Sequence, residues 1–390
     1  MTDGLDHTAT RSLLDYCGRR EDEAFALTRA LVEQESPSGD EEGGRAVVSL
    51  LEEAARRLRC VTKDERVAVA GYGEHLRFEA FGAGDAGART TLILGHTDTV
   101  HPRGSLAARP FREEGGRVFA PGIFDMKSGC AVALGALRAC EELKLAPRRP
   151  VVVLLTCDEE AGSVSGRALV EQEARRAEHV LVLEPPAPGG RAKTARKGTG
   201  MFQLRAEGRA SHAGLDFERG ASAVLELARQ TARLAELCDS SRGVTVNVGT
   251  FAGGTRSNVV AAEARAEVDV RFESLADALR LEEAIKNMRP FDDRVRLTVE
   301  GGINRPPLER TEAVAGLYEH ARSVAASLGF ELGETKVGGA SDGNFAAALC
   351  PSVLDGLGVE GDGAHATDEH IIRDAIPRRV ALVAALLATL

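Results

Sequence analysis

The chain has 390 residues, which at roughly 150 residues per domain predicts two or three domains, each large enough to bury its own core. Charged residues make up 28% and hydrophobic residues 43%, the balance of an ordinary globular protein. The formal net charge of −10 gives the chain no general attraction for phosphate backbones or anionic lipid, which argues against nucleic acid or a membrane as a partner.

The first half of the chain alternates predicted helices and strands. TLILG at 91–95 and VVVLLT at 151–156 are continuous apolar runs, which are typical of strands covered on both faces of a sheet. Ser38–Glu41 forms a capping-box pattern that predicts the start of a helix ending near Arg59. This alternation predicts an α/β fold, a mostly parallel sheet with helices on both faces. The other predicted elements are helices at 19–35, 126–143 and 164–177, and strands at 61–70, 76–82 and 179–184.

A turn-rich break, EPPAPGG at 184–190, marks a change of pattern. The elements after it follow the order β-α-β-β-α-β, which predicts a small ferredoxin-like α+β domain that ends near Asn304–Pro307. Its predicted strands lie at 199–208, 244–251, 260–272 and 294–300, and its predicted helices at 219–238 and 275–288.

Beyond this insertion, the pattern returns to helices at 311–328 and from about 375, with a short strand near 352–354. The economical architecture is therefore one large α/β domain interrupted by a smaller one. The predicted boundaries are residues 1–195 and 309–390 for the large domain and residues 196–308 for the insertion.

The N-terminal sequence and the cysteines both favour a cytoplasmic protein. MTDGLDHTATRSLLDY carries acids early and lacks the apolar segment of a secretory signal, and no stretch approaches the ~20 apolar residues that span a bilayer. The cysteines are scattered, odd in number and without a C-x-x-C pair, which predicts free structural thiols in a reducing compartment. They are Cys17, Cys60, Cys130, Cys140, Cys157, Cys238 and Cys350.

The first motif that carries chemistry is Gly95–Asp98, at the carboxyl end of a predicted buried strand. Open α/β sheets bind their ligands at that end. Side chains two residues apart in an extended chain face the same way, so Asp98 can support the second ring nitrogen of a metal-bound His96. The alternative is a strand-end histidine beside an aspartate that only caps a turn.

Two further motifs carry acids. Asp125 lies just before a predicted helix, where it either caps the helix or bridges two metal ions with its two oxygens. Asp158, Glu159 and Glu160 follow a buried strand, and three neighbouring carboxylates need a cation to offset their repulsion. Glu159 and Glu160 diverge, so one can bind metal while the other holds a water molecule as general base. The alternative is a solvated acidic loop.

Glu184 ends another predicted strand, and His365 lies in a glycine-rich loop near the C-terminus. Each signal is weak alone. Together with His96, Asp125 and Glu160 they supply two imidazoles and three carboxylates, which suit a pair of divalent ions such as Zn²⁺ that share Asp125. From the residues alone, His96 and Glu160 are one plausible pair of ligands for a single ion.

These motifs, in this order, resemble the co-catalytic zinc metallopeptidases of peptidase family M20. That family includes glutamate carboxypeptidase, aminoacylase, acetylornithine deacetylase, succinyl-diaminopimelate desuccinylase and several dipeptidases. The resemblance covers nearly the whole chain. Its motifs are H-x-D-T-V at 96–100, D-M-K at 125–127, E-E at 159–160, Glu184–Pro185, S-H-A-G at 211–214 and the segment from His365 to Glu369.

The resemblance implies two Zn²⁺ per chain, with Co²⁺ or Mn²⁺ as substitutes. It implies that His96 and Glu184 bind one ion, that Glu160 and His365 bind the other, and that Asp125 bridges them. This pairing replaces the one suggested by the residues alone. Glutamate at position 184, rather than aspartate, favours the carboxypeptidases and deacylases of the family.

The resemblance also implies the catalytic roles. Glu159 is the implied general base, and Asp98 the residue that orients His96. His212 is implied to lie in the smaller domain and to reach the active site of a neighbouring subunit, where it stabilises the oxyanion. The inserted domain is therefore expected to act as a lid and as the contact of a homodimer.

The substrate is expected to be a small peptide or N-acyl amino acid that bears a carboxylate. VHPRGSLAARPF at 100–111 and GGASDGNFAA at 338–347 are similar to bacterial glutamate carboxypeptidases, which implies release of a C-terminal amino acid such as glutamate. The alternatives are an N-acyl amino acid deacylase of the acetylornithine deacetylase or aminoacylase type, and an inactive scaffold protein. Candidate substrate-binding residues are Arg271, Arg305, Asn258, Lys193 and Arg196, although the basic ones equally suit surface charges or salt bridges.

Overall fold

The computed structural model describes residues 5–82 and 87–390. Residues 1–4 and 83–86, which the predicted large domain includes, lie outside the described residues. The chain divides into two compact units. The first unit comprises Met1–Ala195, Arg310–Val337 and Ser341–Leu390, and the second comprises Arg196–Glu309 and Gly338–Ala340.

Helices and strands are numbered in chain order. The α-helices are α1 (His7–Arg19), α2 (Glu21–Val32), α3 (Glu41–Arg56), α4 (Ser105–Ala108), α5 (Ser128–Leu143), α6 (Gly166–Arg176), α7 (Ala223–Ala235), α8 (Leu275–Lys286), α9 (Glu312–Ser327), α10 (Asp342–Ala347) and α11 (Ala375–Thr389). The strands are β1 (Val61–Val69), β2 (Gly73–Ala80), β3 (Thr90–His96), β4 (Arg112–Glu114), β5 (Arg117–Phe119), β6 (Val151–Thr156), β7 (Ala177–Val182), β8 (Ala192–Arg196), β9 (Gly198–Glu207), β10 (Thr245–Gly253), β11 (Glu263–Phe272), β12 (Arg296–Arg305), β13 (Glu334–Val337), β14 (Val353–Leu354), β15 (Gly361–Asp362) and β16 (His370–Ile372).

The first unit is built on a six-stranded sheet in the order β1-β2-β6-β3-β7-β14. Strands β6, β3, β7 and β14 run parallel, whereas β1 and β2 form an antiparallel pair at one edge, with β2 also antiparallel to β6. Every residue of β3 and β6 is buried, as expected of continuous apolar runs. The prediction of a mainly parallel sheet is therefore confirmed, and the exception is an edge hairpin whose outer strand is largely polar.

Helices cover both faces of this sheet. Ile93 and Val153 point into the core that the sheet shares with α1, α2, α3, α5 and α11. Leu92 and Val152, one residue earlier, are buried on the opposite face, where α6 and α10 contact β3 or β7. The carboxyl ends of the parallel strands are thus held between two helical layers.

The N-terminal helices differ from the prediction of one helix at 19–35. α2 covers most of that range, but α1 precedes it and was missed. α1 begins after Asp6, whose side chain accepts a hydrogen bond of 2.7 Å from the first turn. Its buried face is formed by Leu13, Tyr16 and Cys17, a helical spacing with too few apolar positions to stand out in a polar segment.

Leu13→Ala is expected to lower the free energy of unfolding by about 2–5 kcal/mol, because it leaves a cavity where α1 meets the core. The Leu13 side chain is fully buried, whereas its neighbour Leu14 is only partly buried. Leu14→Ala is the matched control, for which we expect a smaller loss. Chemical denaturation followed by circular dichroism measures both variants, and equal losses would contradict the docking of α1 through Leu13.

The start of α3 corrects one prediction. Asp40, not Ser38, caps this helix, and its carboxylate accepts from the backbone N–H of Gly43 at 3.0 Å. A capping side chain must lie directly before the first helical residue, and Ser38 lies too early. Its hydroxyl instead donates to the carboxylate of Asp98 at 2.6 Å. The predicted capping box is therefore wrong, and Ser38 belongs to the surroundings of the candidate site.

The second unit has the element order β9-α7-β10-β11-α8-β12. Its four strands form an antiparallel sheet in the order β10-β11-β9-β12. Alternate residues of β9 and β11 are buried, as in a sheet with one covered face. Strand β10 lies at one edge of this sheet, and its last residues, Thr250–Gly253, are exposed.

Two small sheets of the first unit were not predicted, because strands of two to five residues leave little pattern. One joins β13 to β8, and the other has the order β15-β16-β5-β4. The second of these pairs His370 with Phe119, and thereby fastens the C-terminal loops to the segment that precedes Asp125.

Two general expectations concern membranes and thiols. Among the described residues, no helix is long and apolar enough to cross a bilayer. All seven cysteines are free thiols. Cys60 is partly accessible and Cys238 is exposed, whereas the other five are buried.

Candidate metal centre

The candidate site lies where the parallel strands of the first unit end. His96 is the last residue of β3, Glu160 follows the end of β6, and Glu184 follows the end of β7. Because parallel strands place their carboxyl ends at one edge of a sheet, these side chains meet there. Asp125 precedes α5, and His365 lies between β15 and β16.

Asp125 stands between the two histidines. Its Oδ1 atom lies 3.2 Å from Nε2 of His96, which is also 3.4 Å from Oε1 of Glu184. Its Oδ2 atom lies 3.5 Å from Nε2 of His365, which is also 3.3 Å from Oε1 of Glu160. The structure thus brings together all of the predicted metal-binding side chains, in two groups that share one carboxylate.

This donor set fits a pair of borderline divalent cations, because imidazole nitrogen and carboxylate oxygen are the ligands that Zn²⁺ takes in such sites. One ligand atom from each of three residues, His96, Asp125 and Glu160, lies within 4.8 Å of the other two. His365 has a positive φ of 64°, a conformation that non-glycine residues rarely adopt and that recurs at functional sites.

The electrostatics of the cluster favour bound cations. Hydrogen bonds to Asp125 and Glu160 raise the pKa of His365 to about 10. Burial alone would lower the pKa of His96, but its bonds to Asp125, Asp98 and Glu184 outweigh this and raise that pKa. Burial raises the pKa of Glu160. Protons therefore compete with metal ions for these side chains.

Asp98 connects the histidine to the acidic turn. Its carboxylate accepts hydrogen bonds from Ser38 Oγ at 2.6 Å and from the backbone N–H groups of Glu159 and Glu160, each at 3.1 Å. Nδ1 of His96 lies 3.0 Å from the backbone carbonyl oxygen of Asp98 and 3.4 Å from its carboxylate. The main chain as well as the side chain of Asp98 therefore faces the imidazole.

Asp98→Asn is expected to lower metal affinity by about 10- to 100-fold, because an amide gives weaker support to the imidazole and to the turn after β6. Competition with a chelator in the metal-free protein measures the affinity. Asp64→Asn on β1, a position paired with Arg56 away from the site, is the control. An Asp98→Asn variant with wild-type affinity would contradict the role of Asp98.

The three acids after β6 differ in their surroundings. Asp158 is fully buried and accepts hydrogen bonds from Ser165 and from the N–H of Gly166, at the start of α6. A helix N-terminus stabilises such a charge without a metal ion. The charge of Asp158 is thus offset by the start of α6, and the need of the three neighbouring acids for a cation stays a prediction. Glu160 reaches His365, and Glu159 is 7% exposed.

In the second unit, His212 and Asn258 are neighbours. The backbone N–H of Ala213 donates to the carbonyl oxygen of Asn258 at 3.0 Å, and His212 itself is exposed. Nδ1 of His212 accepts from the N–H groups of Gly214 and Leu215 at 3.1 and 3.2 Å. This assigns the proton of the neutral ring to Nε2, which leaves an N–H donor on the outer side of the imidazole.

The predicted substrate-binding cations have different surroundings. Arg271 forms a two-bond pair with Asp269, each bond 2.8 Å long. Arg196 is buried and donates to the carbonyl oxygen of Gly339 at 3.1 Å. Arg305, also buried, ends β12 of the second unit, and Lys193 lies half-buried in β8 of the first. Arg271 and Arg196 thus both bond to groups of the second unit, as expected if their role is structural.

Sequence reasoning missed several supporting residues. His75 on β2 accepts from the N–H of Cys157 at 3.1 Å and bonds Ser165 at 3.0 Å, which holds the turn after β6. Lys127 is buried, and its ammonium donates to the carbonyl oxygen of Gln34 at 2.5 Å. The D-M-K motif was the only signal for Lys127, and none pointed to His75.

Comparisons with known proteins extend this picture. Residues 92–389 match the model of the peptidase family M20/M25/M40. The chain is 32% identical to carboxypeptidase G2 from Pseudomonas sp. (strain RS-16), over 92% of this chain and 87% of that protein. It is 30% identical to succinyl-diaminopimelate desuccinylase from Verminephrobacter eiseniae, over 75% of this chain and 77% of that protein. The crystal structure of aminopeptidase PepT from Bacillus cereus has the same fold, with a TM-score of 0.76 at 22% identity over 95% of this chain and 98% of that one.

Proposed function

The chain belongs to peptidase family M20/M25/M40, whose members are hydrolases that act on C–N bonds, and from that membership we propose that it is a two-zinc enzyme that releases a C-terminal amino acid such as glutamate. One observation carries the proposal. The two carboxylate oxygens of Asp125 lie 3.2 Å and 3.5 Å from two different imidazoles, each of which also faces a second carboxylate.

We propose that His96 and Glu184 hold one zinc ion and that Glu160 and His365 hold the other, with Asp125 shared. When bound, zinc polarises the scissile carbonyl and lowers the pKa of a water molecule towards neutrality. The chain's own residues provide the rest. Asp98 keeps the imidazole of His96 in the tautomer that offers Nε2 to the metal.

Glu159 is the proposed general base. Its backbone N–H donates to the carboxylate of Asp98, and its neighbour Glu160 is a proposed ligand, which supports a place for Glu159 beside the proposed metal site. In the proposed reaction it takes a proton from the attacking water and returns that proton to the leaving amine.

His212 is the proposed donor to the oxyanion, acting from a second copy of the chain. The hydrogen bonds to Nδ1 leave Nε2–H available, as an oxyanion donor requires. A dimer through the second unit would also cover the unpaired edge of β10, where Phe251 is 43% exposed. We propose that this unit serves as both the dimer contact and a lid.

We propose that basic and amide side chains of the second unit, and of β8 just before it, recognise the substrate carboxylate. A guanidinium matches a carboxylate with two parallel hydrogen bonds. Arg305 suits this role through its place beside the start of β9, and Asn258 through its place beside His212. Arg271, Lys193 and Arg196 are the other proposed contacts.

A second candidate function is N-acyl amino acid deacylation, favoured by the 30% identity to a succinyl-diaminopimelate desuccinylase. The two activities share the metal site and differ in the substrate. A panel of peptides ending in glutamate, other C-terminal amino acids, and N-acetyl and N-succinyl amino acids, assayed with zinc, cobalt and manganese, separates them. We expect the highest kcat/KM for a substrate with C-terminal glutamate. Higher kcat/KM for an N-acetyl or N-succinyl amino acid would favour the deacylase.

A further inference from the structure

A buried carboxylate that has no part in the proposed chemistry binds the loop of Asp125, residues 122–125. Glu369 is 2% exposed. Its Oε1 atom accepts hydrogen bonds from the backbone N–H groups of Phe124 and Asp125, both at 2.9 Å. Its Oε2 atom accepts from the N–H of Gly122 at 2.8 Å. Three amides of one short loop thus converge on a single buried carboxylate.

These amides need a partner because the loop is not a regular helix. Gly122 has a positive φ of 72°, and a Cβ atom there would lie 2.5 Å from the side chain of Thr99. Asp125 has extended backbone angles inside the turn that leads to α5. Buried N–H groups outside regular structure are costly unless they are bonded, and an ionised carboxylate is the strongest neutral-pH acceptor available to them.

Glu369 is held in turn by a histidine and an arginine. Nε2 of His101 donates to Oε2 of Glu369 at 2.5 Å. Nδ1 of His101 accepts from Arg109 at 3.3 Å, which assigns the ring proton to Nε2. The other end of the Arg109 guanidinium donates to the carbonyl oxygen of Ala366 at 3.2 Å. Ala366 directly follows His365, so this chain of bonds also fastens the His365 loop.

We propose that Glu369, His101 and Arg109 form a positioning network that sets the Asp125 carboxylate between the two ions and couples it to the loop that carries His365. The inference rests on the proposed two-metal function. The loop of Asp125 depends on Glu369 alone for three backbone bonds, so loss of its charge disturbs both ions. Arg109 bonds the His365 loop directly and reaches the loop of Asp125 only through His101 and Glu369, so its loss weakens chiefly the ion held by Glu160 and His365.

The test is metal binding to three purified full-length variants, with Co²⁺ as the probe. Glu369→Gln keeps the shape of the side chain but removes its charge. The new amide NH2 group would also face backbone N–H groups, and two donors cannot bond to each other. We expect Co²⁺ affinity lowered by about 10- to 100-fold and an altered visible absorption spectrum, with thermal unfolding of the metal-free protein still cooperative. Glu114→Gln, an exposed carboxylate on β4, is the control with wild-type binding.

Arg109→Met is the second variant, and it tests the network even if Glu369→Gln does not fold. We expect one ion to bind as in the wild type and the other to bind more weakly, by about 10-fold. Unchanged affinities and spectra in a folded Glu369→Gln variant, or unchanged binding of both ions in Arg109→Met, would overturn the network. A wild-type chain that binds no pair of ions would instead refute the proposed function itself.

Discussion

Glu159→Gln is expected to lower kcat by roughly 10²- to 10⁴-fold while leaving both metal ions bound, because an amide cannot take the proton of the attacking water. The carboxylate of Glu160 lies 3.3 Å from Nε2 of His365 and is a proposed metal ligand, whereas Glu159 is proposed as the base and not as a ligand. The loss should therefore appear in turnover and not in metal content. A steady-state assay, paired with metal analysis of the same sample, measures both.

The neighbouring residue supplies the contrast. Glu160→Gln is expected to lose affinity for one ion, and its activity should recover in part at high metal concentration, whereas that of Glu159→Gln should not. Glu53→Gln on α3, with a side chain 64% exposed, is the surface control. Near-normal kcat in Glu159→Gln would show that another group moves the proton.

His212→Ala is expected to lower kcat by about 10²- to 10³-fold, the usual cost of removing one donor to an oxyanion. If His212 acts across a dimer, this variant and Glu159→Gln should rescue each other. A mixed dimer has one site with Glu159 from one chain and His212 from the other. Equal mixing by refolding or coexpression is then expected to restore about a quarter of wild-type activity, since half of the dimers carry one complete site of two.

The mixing result separates the two arrangements cleanly. If His212 served the site of its own chain, no mixed dimer would hold a complete site and no activity would return. A mixture of His212→Ala with His212→Leu is the matched control, because neither side chain has a hydrogen-bond donor. Sedimentation of the mixtures confirms that subunits have exchanged.

The strand-end part of the candidate site was predictable from the sequence because it depends on local pattern. Apolar runs identify β3 and β6 as buried parallel strands, and the polar residues that follow them must then lie at one edge of the sheet. The residues alone suggested His96 and Glu160 as ligands of one ion. Nε2 of His96 lies 3.4 Å from Glu184 and Nε2 of His365 lies 3.3 Å from Glu160, distances compatible with the pairing that the family resemblance implied, which stays a prediction.

The remainder depends on contacts between distant parts of the chain. Glu369 binds the N–H of Asp125 from 244 residues away, and Ser38 binds Asp98 from 60 residues away. No periodicity or spacing in the sequence indicates contacts between residues so far apart in the chain. Ser38 was assigned to a helix cap because a local motif fitted, and α1 was missed because its buried face is a thin stripe in a polar segment. Local rules succeed where the neighbours in sequence are also the neighbours in space.

The proposed function depends on one carboxylate, that of Asp125, which would be shared by two metal ions. Anomalous diffraction at the zinc edge, from crystals of the wild-type protein grown with zinc, measures this directly. We expect two zinc peaks about 3.5–4 Å apart, with one oxygen of Asp125 on each. A single peak, or two peaks of which only one contacts Asp125, would contradict the proposal that two zinc ions share this carboxylate.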